Sequence, residues 1–113
     1  IAVAPVTNFR FYDSIYTERY MREPGENGDG YDKNSPMNYV NNFNRGSLLL
    51  AHGTADDNVH VSNTYELAEA LVQADKQFDM AIYKDRNHSI YGGKTTKQLD
   101  QRFVNYIKAN LLD

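Results

Sequence analysis

The chain has 113 residues, 41% hydrophobic and 24% charged, with a formal net charge of −3 and no cysteine. That composition suits one domain with a packed core, and it excludes a disulfide framework, a thiolate metal site and a thiol nucleophile. A nucleic-acid surface would need a basic patch, and no apolar run nears the roughly 20 residues of a membrane helix.

Ile1 to Ala4 reads as an apolar strand already under way, closed by Pro5, which cannot donate to a strand ladder. It starts without methionine and lacks the charged start of a signal peptide, so the chain is expected to be an excised piece of something larger. Phe9, Tyr12, Tyr16 and Tyr20 then recur at helical spacing, with Asp13 early and Arg19 late. This predicts an amphipathic helix over Phe9 to Met21 that buries an aromatic face. Met21 to Asn34, rich in glycine and charge, reads as a surface loop. Ser35-Pro36 has the form of a helix cap followed by proline at the first helical position. The short helix it opens runs to about Val40 and ends in Asn41-Asn42-Phe43-Asn44.

The centre of the chain is Leu48 to His60, LLLAHGTADDNVH. An uninterrupted apolar run followed by an acidic loop fits a parallel strand buried on both faces, with its carboxyl end at the functional edge of the sheet. Ser62 or Asn63 can cap a helix to about Ala74, with Thr64, Leu67, Ala68, Leu71 and Ala74 inward and Glu66 and Glu69 outward. Phe78 to Tyr83 is a further strand, and a loop from Lys84 to Lys94 carries His88. The last helix spans about Thr95 to Leu111, with Leu99, Phe103, Tyr106, Ile107 and Leu111 on its buried stripe. Strands alternating with helices predict an α/β fold with parallel strands and covering helices. Three strands are too few for a doubly covered sheet of this kind, so the end of a longer sheet is expected.

Asp56 and His88 stand in loops after successive strands, in the order of the second and third members of an α/β-hydrolase triad. The first member is missing, because Ser14, Ser35, Ser47, Ser62 and Ser89 lack a Gly-x-Ser-x-Gly context. The plainer alternatives stay open: Asp56 and Asp57 as turn caps, His88 as a surface histidine. His52 and His60 read as structural. No metal or cofactor is expected, since Asp56, Asp57, His60 and His88 match no ligand spacing.

HGTADDNVH, the upstream APV and YDSIYTERYM together resemble the catalytic domain of the dipeptidyl peptidase IV branch of the prolyl oligopeptidase family. The resemblance covers nearly the whole chain and implies the C-terminal part of an α/β-hydrolase domain, in a serine peptidase that releases N-terminal X-Pro dipeptides. By position it makes Asp56 the triad aspartate and His88 the triad histidine. It gives Asn58 the task of holding the substrate's N-terminal residue and its carbonyl. Val6, Phe9, Tyr12, Tyr16 and Val59 would line the pocket for proline. Two departures stand out: Phe9 where mammalian members have tryptophan, and His88-Ser89 where histidine-glycine is usual.

The family's nucleophile, its oxyanion-hole tyrosine and the propeller glutamates all fall outside residues 1–113, so the piece alone is expected to be inactive. Its implied partners are peptides with proline second and the remainder of its own chain. The implied location is exported, periplasmic or envelope-associated. Alternatives are a related prolyl oligopeptidase or acylaminoacyl peptidase, and a catalytically dead relative acting as an interaction module. Asn58 with Tyr12 and Tyr16 favours the dipeptidyl type. An unpaired sheet edge with an apolar face further predicts a homo-oligomer.

Overall fold

The computed structural model describes residues 1–43 and 48–112. Asn44, at the end of the asparagine-rich run, and Ser47 lie outside the described residues. Leu49–Gly53 forms β2, and every residue of it is buried. It lies between β1 (Ala2–Val3) and β3 (Asp79–Tyr83) in a three-stranded sheet of order β1-β2-β3. Both pairings are parallel, with Ala2 opposite Leu50 and Leu49 to Gly53 opposite Asp79 to Tyr83.

A strand alternates its side chains between two faces, and β2 is apolar on both because each is covered. Leu49 and Ala51 pack with Ala81, Ile90, Leu99 and Tyr106, the last two from α4 (Thr95–Asn110). Leu50 packs with Leu67, Ala68 and Leu71 of α3 (Ser62–Gln73). β2 is therefore covered on both faces, by one helix on each side, while Val3 of β1 and Met80 of β3 stay 43% and 42% exposed. Toward the end of α4 the stripe opens: Ile107 is 38% exposed and Leu111, just beyond the helix, 56%.

The aromatic segment departs from expectation. It is not one helix from Phe9. Asn8 accepts from the Arg10 N–H and starts a 3-10 turn over Phe9–Phe11. Tyr12 is then extended, and Asp13 caps α1 (Ser14–Met21) by accepting from the Tyr16 N–H. Two side-chain caps five residues apart offer the backbone local alternatives to a continuous helix. The aromatic face is not buried either, with Tyr16 half and Tyr20 two-thirds exposed. The following loop is more built than its composition suggests. It holds a helical turn, α2 (Gly30–Lys33), whose Tyr31 is buried and donates to the Arg22 carbonyl. Pro36 opens a 3-10 helix over Pro36–Asn42.

Three buried polar bonds tie these pieces to one another and to α3. The Thr7 N–H donates to Asn63 Oδ1 at 3.0 Å, the Thr7 hydroxyl to the Asn63 carbonyl at 2.6 Å, and the Ser35 hydroxyl to the Thr7 carbonyl at 2.7 Å. Asn63 and Ser35 are thus spent on tertiary links. Neither caps a helix through its side chain, and the residue preceding α3 is Val61. Among the described residues no helix is long and apolar enough to cross a membrane.

Candidate active site

The loops after β2 and β3 are stitched together by hydrogen bonds that each start from a backbone N–H. Thr54 N–H donates to the Tyr83 carbonyl and Ala55 N–H to the Arg86 carbonyl, each at 3.0 Å. The Asp85 N–H returns a bond to the Thr54 hydroxyl at 2.8 Å. Gly53 makes this approach possible, because a Cβ there would collide with the Arg86 carbonyl. Past that seam Asn87 turns the chain, accepting from Ile90 N–H at its carbonyl and from Ser89 N–H at Oδ1. Ile90 has φ +48°, rare for a β-branched residue, and is 1% exposed in the core beside Leu99 and Tyr106. The core holds that strained residue in place, and His88 with it.

His88 Nδ1 donates to Asp56 Oδ2 at 2.8 Å. The Asp56 side chain is wholly buried, while that of His88 is 40% exposed. Asp56 Oδ1 accepts from the backbone N–H groups of Asn58 (3.0 Å) and Val59 (2.8 Å). Burial works against the Asp56 charge, but the bonds from His88, Val59 and Asn58 outweigh it and hold the carboxyl below its ordinary value. With Nδ1 donating to a fixed carboxylate, Nε2 is the nitrogen free to accept a proton. Among the described residues no serine hydroxyl bonds His88. Asp57, next to Asp56 in sequence, is exposed.

The other expected site residues divide. Tyr12 donates from its hydroxyl to Asn58 Oδ1 at 2.8 Å, linking the aromatic segment to the Asp56 loop. Phe9, Tyr12 and Tyr16 form a row of edge-to-face rings with centroids 6.5 and 5.5 Å apart, continued by Tyr20 at 4.9 Å. A hollow of about 260 Å³ borders Phe9, Tyr16, Thr17 and Tyr20. Val6 is half-buried, and Val59 is only 4% exposed, so little of its side chain reaches a surface. A larger cavity of about 870 Å³ runs along α4 and contains none of these residues.

His52 is wholly buried, as a structural residue should be, but it also touches the pair. Its Nδ1 lies 2.6 Å from the Thr64 hydroxyl, and its Nε2 lies 2.8 Å from the Val59 carbonyl and 3.2 Å from Asp56 Oδ2. Only three residues separate His52 from Asp56, but they run from strand into loop, where spacing alone does not bring two side chains together. His60 is exposed, and its ring bonds Ser62, two residues on.

Over residues 1–113 the sequence matches the model of the prolyl oligopeptidase family. The chain belongs to that family. A protein of Coccidioides posadasii named "Probable dipeptidyl-aminopeptidase B" is 44% identical over 108 residues, 95% of this chain. One of the same name from Trichophyton verrucosum is 46% identical over 103 residues, 90% of the chain. The crystal structure of Porphyromonas gingivalis dipeptidyl peptidase 4 superposes with TM-score 0.92 at 53% identity, over 96% of this chain. The parallel strands and covering helices match the α/β-hydrolase fold of such neighbours. The chain spans about 12% of the length of the two curated relatives and 15% of the solved one.

Proposed function

We propose that this segment supplies the acid and the base of a Ser-Asp-His triad in a dipeptidyl peptidase that cleaves after N-terminal X-Pro. The observation that carries the reading is the bond from His88 Nδ1 to the buried Asp56 carboxylate, itself locked by two backbone N–H groups. Held this way, His88 takes the proton of a serine hydroxyl at Nε2 and later delivers it to the leaving amine. Asp56 fixes the tautomer and stabilises the imidazolium between those steps. The serine comes from the remainder of the parent chain, which would continue the sheet beside β1. That strand is an edge of this sheet, with Val3 43% exposed.

The Tyr12–Asn58 bond supports the dipeptidyl reading. It occupies Asn58 Oδ1 and leaves the amide N–H groups to donate to a substrate carbonyl. The row of Phe9, Tyr12 and Tyr16 suits proline, whose ring is rigid and apolar and brings no N–H to satisfy. The test is turnover of Gly-Pro and Gly-Leu chromogenic amides by the full-length parent and its His88→Ala variant. Preference for Gly-Pro, block by an organophosphonate and collapse of turnover in the variant are expected. Undiminished turnover by His88→Ala would refute the proposal.

A further inference from the structure

We infer that His52 is a positioning residue for the catalytic pair, acting on Asp56 both directly and through Val59; this rests on the function proposed above. The hydrogen-bond pattern requires one tautomer. The Val59 carbonyl only accepts, so His52 Nε2 carries the proton that reaches it at 2.8 Å. The same N–H leans toward Asp56 Oδ2 at 3.2 Å, and Nδ1 then accepts from the Thr64 hydroxyl at 2.6 Å.

Asp56 Oδ2 thus has a histidine on each side, bonded to His88 on the open side and 3.2 Å from His52 Nε2 on the buried side. The second route runs through residue 59. His52 fixes its carbonyl while its N–H donates to Asp56 Oδ1. His52 therefore bears on both carboxylate oxygens, on Oδ2 by its close approach and on Oδ1 through the single residue Val59. Thr64 sits on α3 and sets the imidazole, so a helix packed under the sheet determines how the aspartate faces His88. His52 and Asp56 side chains are both wholly buried, so no solvent can replace the missing donor.

A core histidine that merely satisfies its neighbours predicts lost stability with intact turnover. A positioning role predicts lost turnover that an amide N–H at the same place restores. The experiment measures kcat, KM and the unfolding midpoint for His52→Leu, His52→Gln and Thr64→Val in the full-length parent, on Gly-Pro chromogenic amide. His52→Leu is expected to lose on the order of 10- to 100-fold in kcat with KM little changed, the signature of misplaced catalytic groups. His52→Gln, whose side-chain N–H can reach the Val59 carbonyl and Asp56, is expected to recover most of that loss. Wild-type kcat in a folded His52→Leu, or equal kcat losses in the leucine and glutamine variants, would overturn the inference. If His52→Leu does not fold, Thr64→Val decides, because it leaves the imidazole but removes the donor that sets it. A several-fold kcat loss at constant KM supports the inference and wild-type kcat overturns it. Asp56→Ala and His88→Ala run alongside. Collapse of both with wild-type kcat in a folded His52→Leu defeats this inference alone, and survival of both defeats the catalytic reading beneath it.

Discussion

Gly53→Ala is the smallest change that should separate the pair without touching it. The backbone at Gly53 would aim a new Cβ at the Arg86 carbonyl, with Arg86 C at 2.7 Å and Asn87 O at 2.8 Å. A comfortable C···O separation is about 3.3 Å, so the Arg86–Asn87 segment must retreat by roughly 1 Å. That retreat strains the 3.0 Å bond from Ala55 N–H to the Arg86 carbonyl. It also carries His88 away from Asp56, whose 2.8 Å bond has little slack before it ceases to be one. Overpacking of this kind costs about 1–3 kcal/mol of stability. A misplacement near 1 Å costs on the order of 100-fold in turnover. The assay is kcat and KM of the full-length parent on a Gly-Pro amide, with an unfolding curve beside it. A folded Gly53→Ala enzyme with kcat within about twofold of wild type would show that the seam does not set the geometry of the pair.

Ile90→Ala should lower stability by about 2–4 kcal/mol through the cavity it leaves, less whatever strain alanine relieves at φ +48°; urea unfolding measures it, and a neutral result would remove Ile90 as the anchor. Because the folded carboxyl of Asp56 lies below its ordinary value of 3.8, its contribution is fully present above that value and is lost as pH falls through the folded one. Unfolding free energy should therefore fall more steeply with acid in the wild type than in Asp56→Asn, and the reverse would contradict the cause assigned. The 113-residue chain alone, with β1 and β3 both open edges, should self-associate at micromolar concentration; a monodisperse monomer in light scattering would contradict this.

Much of this architecture was legible because its causes are local. β2 is buried at every position because it serves two faces, and Leu67, Ala68 and Leu71 recur at the spacing that covers one of them. Asp56 and His88 were legible because a parallel sheet brings the loops at its strand ends to one edge. The aromatic segment misled for a physical reason. Its helical spacing was real, but Asn8 and Asp13 cap separate turns, and the rings stack on one another along a surface instead of against the sheet. His52 was half legible. Its place at the end of a buried strand implied a structural role, while its reach to Asp56 depends on how the Val59 carbonyl and Thr64 are presented, which no local pattern encodes.

We propose Asp56, held by Asn58, Val59 and His88, as the acid of the triad, and not its neighbour Asp57. The most direct measurement is kcat/KM on a Gly-Pro amide for Asp56→Asn and Asp57→Asn in the full-length parent. An asparagine at 56 can present an amide N–H to His88 and favour the wrong tautomer, a change that costs about 10⁴-fold in a serine-histidine-aspartate enzyme. A loss of that order is expected for Asp56→Asn and a change within about twofold for the exposed Asp57→Asn. Equal activities, or the larger loss at Asp57, would contradict it.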